Sequence, residues 1–93
     1  MEMKKTKMMD IPVRKSKEVY KKILPEYYEA VLEGKKRFEL RKDEDEILPN
    51  DILVLNEWDG VRITGRQIQK EVRYVLRNVP EYGLMPGYCI IGF

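Results

Sequence analysis

The chain has 93 residues, 43% of them hydrophobic and 37% charged, with a net charge of +2, which suits one small globular domain. It has one cysteine and no histidine, which excludes an internal disulfide and a Ser-His-Asp or Cys-His catalytic site and argues against a zinc site. Because no apolar run has the length of a membrane span or a signal peptide, we expect a cytoplasmic protein. We also expect a monomer that binds no metal and no cofactor.

The N-terminal residues 1–16 are predicted to form a flexible basic tail, because they lack a steady period and Pro12 interrupts them. Residues 1–17 contain six basic and two acidic residues and therefore have a net charge of +4. The rest of the chain has a net charge of −2. The alternative is a basic arm that contacts an acidic partner. Since the folded part is not basic overall, any attraction to nucleic acid must come from a local patch or from the tail.

The first predicted elements are a strand over Glu18–Leu24 and a short amphipathic helix over Pro25–Glu33. Proline suits the first position of a helix, where its missing N–H group would have no partner. Gly34 then suits the left-handed residue that follows a helix end.

The rest of the chain is predicted to form short strands joined by loops. The strands are expected at Lys36–Lys42, Ile52–Trp58, Arg62–Leu76 and Tyr88–Phe93, with loops at Asp43–Asp51 and Arg77–Gly87. Asp59-Gly60 is a strong signal for a tight turn, and Gly65 indicates a bulge or bend. Residues 17–93 are therefore predicted to form one mainly β (α+β) domain, a small closed or nearly closed barrel, since closure removes exposed strand edges.

The segment EGKKRFELRK, residues 33–42, places five basic residues around one acid. Because side chains alternate along a strand, Phe38 and Leu40 are expected to enter the core. The opposite face would carry Arg37, Glu39 and Arg41. An ionised Glu39 would orient the guanidinium of Arg41 toward a phosphate or a base edge. The same alternation is typical of any half-buried strand, so an ordinary solvated face is the alternative.

A four-residue motif, G-x-K-x-x-E-x-R, is formed by Gly34, Lys36, Glu39 and Arg41. Placed after a short helix and on the strand that follows, it resembles the ASCH domain family, and specifically a small bacterial and phage branch of it. The resemblance covers roughly residues 18–93, including the segments NDILVLNEWD, TGR and YGLMPGYCIIGF. It implies a PUA-like β-barrel with one or two short helices. It also implies that RNA or a nucleotide binds in a cleft lined by the motif. Because Lys36 comes directly after the helix end, we expect it at the mouth of the barrel, with its ammonium group in the cleft.

Some enzymes that resemble ASCH domains remove acyl groups from modified cytidines with the motif lysine, a threonine and a distant glutamate. Here the lysine is Lys36, Glu39 occupies the place of the threonine, and no glutamate can be assigned the distant role. If the chain is an enzyme, a nucleoside amidohydrolase or a ribonuclease, Lys36 and Glu39 would be its catalytic residues. An ionised Glu39 would keep Lys36 protonated unless the neighbouring arginines neutralised it, so the binding module is the preferred hypothesis.

Two aromatic residues beside turns, Trp58 and Tyr88, could stack on bases, although aromatic residues that flank turns are more often packing residues. A third hypothesis is a phage or bacterial protein-interaction module, which would use the basic tail and the loop PEYGLMPGY. The predicted binding site, without a metal, consists of Lys36, Arg37, Glu39, Arg41, Trp58 and Tyr88.

Overall fold

The computed structural model describes residues 14–93, which form six strands, one α-helix and one short 3-10 turn. In chain order these are β1 (Glu18–Ile23), α1 (Pro25–Leu32), β2 (Phe38–Lys42), β3 (Ile52–Trp58), β4 (Ile63–Glu71), β5 (Tyr74–Arg77), the 3-10 turn (Pro80–Tyr82) and β6 (Tyr88–Gly92). The predicted mainly β class is confirmed. Among these residues no helix is long and apolar enough to cross a membrane.

The strands form two three-stranded sheets, with the order β1-β3-β4 in the first and β2-β6-β5 in the second. In the first sheet β1 runs parallel to β3 and β4 runs antiparallel to it, whereas the second sheet is antiparallel throughout. The described strands therefore do not form the closed hydrogen-bonded barrel that was one form of the prediction. The central strand β3 contributes Leu53, Val54 and Leu55, all fully buried, because it is covered on both faces.

Helix α1 begins and ends as its sequence predicts. Pro25 occupies the first helical position, and the amides of Tyr27 and Tyr28 donate to the carbonyl oxygen of Leu24. At the other end Gly34 has a φ of +78°, the left-handed conformation that glycine adopts at no steric cost. The helix buries Tyr28 and Val31 in the core, which also contains side chains from both sheets.

The core lies between α1 and the inner faces of both sheets, where aliphatic side chains and one thiol are removed from water. It consists of Val19, Ile23, Tyr28, Val31, Ile47, Leu53, Leu55, Val72, Cys89 and Ile91. Burial raises the pKa of the Cys89 thiol, so this cysteine behaves as an apolar core residue.

The predicted long strand Arg62–Leu76 is wrong, because the chain changes sheets in its middle. The amide of Val72 donates to the carbonyl of Asp51 at 2.8 Å, and the amide of Arg73 donates to the carbonyl of Gly92 at 2.8 Å. The first bond joins the chain to the segment just before β3 of the first sheet, and the second bond joins it to β6 of the second sheet. An uninterrupted alternation of residues cannot reveal this break, since both halves keep the period of a strand.

The hairpin between β3 and β4 follows its local signals. Asp59 Oδ1 accepts hydrogen bonds from the amides of Val61 at 2.8 Å and Arg62 at 2.9 Å. The register then shifts between Asn56 and Trp58, and Gly65 lies in the resulting bulge with a φ of +102°. The predicted turn and bulge are both confirmed.

The two faces of β2 are the reverse of the prediction. Phe38 and Leu40 are 46% and 55% exposed, whereas Glu39 is 3% exposed. Glu39 pairs with Ile91, which is fully buried and shares its face. The prediction assigned faces by hydrophobicity alone, but pairing with β6 decides which face of β2 turns inward.

The predicted tail of residues 1–16 lies outside the described residues as far as residue 13. At residue 14 the guanidinium of Arg14 pairs with both carboxylate oxygens of Asp51, at 3.0 and 2.8 Å. The amides of Lys17 and Leu48 donate to the same carboxylate. Burial opposes ionisation of Asp51, but these hydrogen bonds together lower its pKa to about 2. Asp51 thereby fastens the start of the described chain to the loop before β3.

Candidate functional site

A cleft of about 580 Å³ opens where the end of β1, the start of α1 and strand β2 meet. Four charged residues line it, together with three aromatic rings. The charged residues are Lys22, Lys36, Glu39 and Arg41, and the rings belong to Tyr27, Phe38 and Trp58. Ile23, Leu24 and Leu40 complete the wall. The volume lies within the range of roughly 300–1,000 Å³ that is typical of small-molecule sites.

Glu39 is the centre of the charged wall, with a side chain only 5% exposed. Its Oε2 accepts a hydrogen bond from Lys36 Nζ, and its Oε1 accepts one from Arg41 Nε at 2.8 Å. One carboxylate is therefore shared by two cations, which leaves the group with a net charge of +1. Such charge-assisted bonds hold both cations in fixed positions at the cleft.

Backbone carbonyls also accept hydrogen bonds from the two cations. Lys36 Nζ also donates to the carbonyl of Phe38 at 2.6 Å, and Arg41 Nη2 donates to the carbonyl of Lys22 at 2.6 Å. The second bond ties β2 of one sheet to β1 of the other. The charged group therefore lies at the junction of the two sheets, and residues from both sheets hold the Arg41 guanidinium in place.

The local sequence explains the spacing of these residues. The left-handed Gly34 turns the chain after α1, and the amides of Lys35 and Lys36 both donate to the carbonyl of Ala30. This turn places Lys36 beside the start of β2. Strand alternation then brings Glu39 and Arg41 to the same face, two residues apart.

The aromatic rings lie beside the ammonium groups of the cleft. Lys36 Nζ is 4.9 Å from the ring centre of Phe38 and 5.7 Å from that of Tyr27. Lys22 Nζ is 5.1 Å from the ring centre of Trp58. These are cation–π distances, so both lysines are oriented by rings, and Lys36 is held by polar partners as well.

Four of the six predicted site residues lie together in the cleft: Lys36, Glu39, Arg41 and Trp58. Arg37 is not among the residues that line it, and its Nε donates to the carbonyl of Gly34 at 3.2 Å. Tyr88 also lies elsewhere, opposite Lys42 at the other end of the β2–β6 pairing from Phe38.

The prediction missed three polar or aromatic residues of the cleft, namely Lys22, Tyr27 and Phe38. Lys22 approaches Trp58 because β1 lies parallel to β3, a pairing between distant segments that no local pattern indicates. Tyr27 is 46% exposed while the adjacent Tyr28 is 5% exposed, and only the packing of α1 decides between them. For Phe38 the signal was present, since it follows Lys36 in the motif, but its face was misassigned.

A third buried carboxylate, Glu57, lies outside the cleft at the bulge. It accepts hydrogen bonds from Thr64 Oγ1 at 2.7 Å and from Arg66 Nε at 3.1 Å. Arg66 also pairs with Glu29 of α1, and its guanidinium lies 4.4 Å from the ring centre of Tyr28. Arg66 and Thr64 lower the pKa of Glu57, and this group joins the bulge to the helix.

No group of three or more His, Cys, Asp or Glu side chains within residues 14–93 is arranged to hold a metal ion. The acidic loop after β2 is instead tied to basic residues. Asp43 pairs with Arg77, at 2.5 Å from Nε and 3.0 Å from Nη2, and Lys21 pairs with Asp45 at 2.6 Å.

Comparison with known proteins gives a family match and a viral relative. The family model described as Domain of unknown function (DUF3850) matches residues 20–93, which contain every residue of the cleft. The "Uncharacterized 12.9 kDa protein in GpA 3'region" of Escherichia phage P2 is 39% identical over 51 residues, 55% of this chain and 47% of the relative. The matched segment thus spans about half the length of that relative.

Proposed function

Because the chain belongs to the DUF3850 family, whose description assigns no activity, we propose its function from the cleft itself: it binds RNA or a nucleotide there. The observation that supports this proposal is the shared carboxylate of Glu39, which holds Lys36 and Arg41 in a cleft with three aromatic rings. Cations fixed beside aromatic faces are suited to a ligand with both an acceptor-rich group and a planar base.

The roles of the cleft residues follow from their chemistry. Lys36 and Arg41 would donate to a phosphate oxygen or to acceptors at a base edge, because Glu39 fixes their positions before the ligand arrives. Trp58 and Tyr27 would stack on a base. The charged residues that line the cleft, Lys22, Lys36 and Arg41 against Glu39, sum to +2, which favours a ligand of low charge over a long nucleic acid held mainly by its phosphates.

The test is the binding of short single-stranded RNAs and of nucleosides at two salt concentrations. Lys36→Ala and Arg41→Ala should each lose about 1–3 kcal/mol of binding free energy. Lys35→Ala and Lys42→Ala are matched controls, because each removes a neighbouring positive charge that does not line the cleft. Equal affinity of all four variants and the unmodified protein would contradict the proposal.

We further propose that the domain is related to ASCH domains of the PUA-like superfamily, with its two sheets as the halves of an open barrel. Two observations support this: the motif residues Lys36, Glu39 and Arg41 line one cleft, and the chain passes between sheets at Val72–Arg73. An experimental structure that superposes on ASCH domains with these motif positions aligned is the expected outcome. A different strand order would contradict the relationship.

Hydrolysis of an acylated nucleoside or of RNA is less favoured by the geometry. A general base needs a free lone pair, whereas Lys36 Nζ donates to Glu39 and to the carbonyl of Phe38. Incubation with acetylated cytidine and with labelled RNA tests this alternative. Turnover that disappears in Lys36→Ala would establish an enzyme.

A protein partner is the second candidate, and the exposure of one loop favours it. Tyr82 and Met85, between β5 and β6, are 80% and 64% exposed. Large exposed apolar side chains in one short loop are typical of contact surfaces. A protein captured from extract with and without nuclease, and lost in Tyr82→Ser, would support this function; capture that requires RNA would not.

A further inference from the structure

A second pocket, of about 210 Å³, lies beside the cleft at the end of α1. Its lining consists of Val31, Gly34, Lys36, Arg37, Lys70 and Phe93. Three of these six residues have cationic side chains and none has an acidic side chain. Lys36 lines both the second pocket and the cleft, so the two spaces share a wall.

The cations of the second pocket differ in whether they form ion pairs with carboxylates. Lys36 is paired with Glu39, whereas neither Arg37 nor Lys70 forms an ion pair with any carboxylate of residues 14–93. Lys70 is moreover partly buried. Two cations that border a small space and have no ion pair among residues 14–93 make that space attractive to an anion.

The end of a helix offers a simpler explanation for part of this charge. Cations are favourable near the last carbonyls of a helix, and Arg37 Nε does donate to the carbonyl of Gly34. Lys70, however, lies on β4 and belongs to no helix end. Lys70 pairs with Leu53 in the β3–β4 register and lines the same pocket as Val31 of α1, and it forms no ion pair within residues 14–93.

We propose that the second pocket binds a phosphate group of the ligand whose base lies in the cleft, with Arg37 and Lys70 as its donors and Lys36 between the two sites. This inference rests on the proposed function and narrows it to ligands that carry phosphate. A guanidinium and an ammonium together match the several acceptor oxygens of a phosphate, which an uncharged nucleoside lacks. A free 5′-monophosphate and a phosphodiester of RNA present this same chemistry.

The experiment is calorimetric titration of the full chain with three sets of probes. The probes are the four ribonucleosides, their 5′-monophosphates, and the dinucleoside monophosphates ApA, CpC, GpG and UpU. For at least one base, the monophosphate should bind about tenfold or more tightly than the nucleoside, and this gain should shrink as salt is raised. A gain for the dinucleotides but not for the 5′-monophosphates identifies RNA as the source of the phosphate.

Lys70→Gln and Arg37→Gln should remove most of the phosphate gain and leave nucleoside affinity unchanged. Lys70→Arg, which keeps the charge, should retain the gain. Lys35→Gln and Arg62→Gln remove exposed cations elsewhere and should leave it intact. A variant that lowers nucleoside and nucleotide affinity alike, or an equal loss in the control variants, would overturn the assignment.

The two proposals fail in different ways. Nucleoside binding that depends on Lys36, with no gain from any phosphate, would overturn the second pocket and leave the cleft as proposed. If no probe binds, the proposed function fails and this inference fails with it.

Discussion

Two buried carboxylates, Glu39 and Asp51, hold arginines in different surroundings. Asp51 is 1% exposed and accepts from Arg14 and from the backbone amides of Lys17 and Leu48. Glu39 is 3% exposed and accepts only from the side chains of Lys36 and Arg41 among the described residues. The first carboxylate joins segments of backbone, and the second positions side chains.

The difference indicates which carboxylate serves structure and which serves a site. Removing a carboxylate that satisfies buried amides leaves those amides without a partner, and folding bears the cost. Removing one that satisfies two long, partly exposed side chains lets them turn to water. Asp51 should therefore matter most for stability, and Glu39 for binding.

The largest effect on stability is expected at Asp51. Asp51→Ala leaves two backbone amides and the Arg14 guanidinium without their acceptor, so it should lower the free energy of unfolding by about 2–3 kcal/mol. Urea denaturation followed by circular dichroism measures this. Asp59→Ala is the control, since Asp59 also accepts from two amides, but at an exposed turn, and should cost about 1 kcal/mol or less. An equal loss for both variants would mean that the burial of the amides bound by Asp51 adds nothing to its contribution to stability.

Acid should reveal the stabilising role of Asp51. Because the pKa of Asp51 is lowered to about 2 from its ordinary value of 3.8, its ionised form stabilises the folded state. That contribution is fully present above about pH 4 and is lost as pH falls through 4 toward 2. The pKa of Asp43 is also lowered, by its bond to Arg77, and adds to the same decline. Unfolding free energies measured from pH 6 to pH 2 should fall less steeply in Asp51→Asn; an unchanged slope would contradict the role of Asp51.

The structure also shows why some features were predictable from sequence and others were not. The helix from Pro25, the turn at Asp59-Gly60 and the bulge at Gly65 depend on residues adjacent in the chain, so local signals predicted them. The inward face of β2 and the break at Val72–Arg73 depend on which strands pair, and alternation carries no such information.

The residues of the candidate site also fall into those that local sequence predicted and those that only the fold brings together. Lys36, Glu39 and Arg41 lie within six residues of each other in the chain and were predicted as a group. Lys22 and Tyr27 reach the cleft only through the parallel pairing of β1 with β3 and the packing of α1. Residues that a fold brings together from distant segments leave no local signal in a single sequence.

Glu39→Gln should separate binding from stability. Without the negative charge, Lys36 and Arg41 repel one another and lose their common partner, so binding of short RNA should weaken by about 1–2 kcal/mol. Glu57→Gln is the matched control, because Glu57 is also a buried carboxylate paired with an arginine but does not line the cleft. We expect Glu57→Gln to lower stability and leave RNA binding unchanged. Loss of binding in both variants would mean that Glu39 acts through the fold.

The smallest effect is expected from the aromatic wall, and it tests whether the cleft binds a base at all. Trp58→Leu keeps an apolar side chain but removes the flat ring, so the affinity for a nucleoside should fall by about 1 kcal/mol. Tyr88→Leu is the natural comparison, because the sequence offered both rings as candidates for stacking and only Trp58 lines the cleft. Quenching of the single tryptophan on ligand addition gives an independent signal, since Trp58 is the chain's one tryptophan. If Tyr88→Leu weakened nucleoside binding and Trp58→Leu did not, the ligand would lie along the second sheet, away from the carboxylate of Glu39.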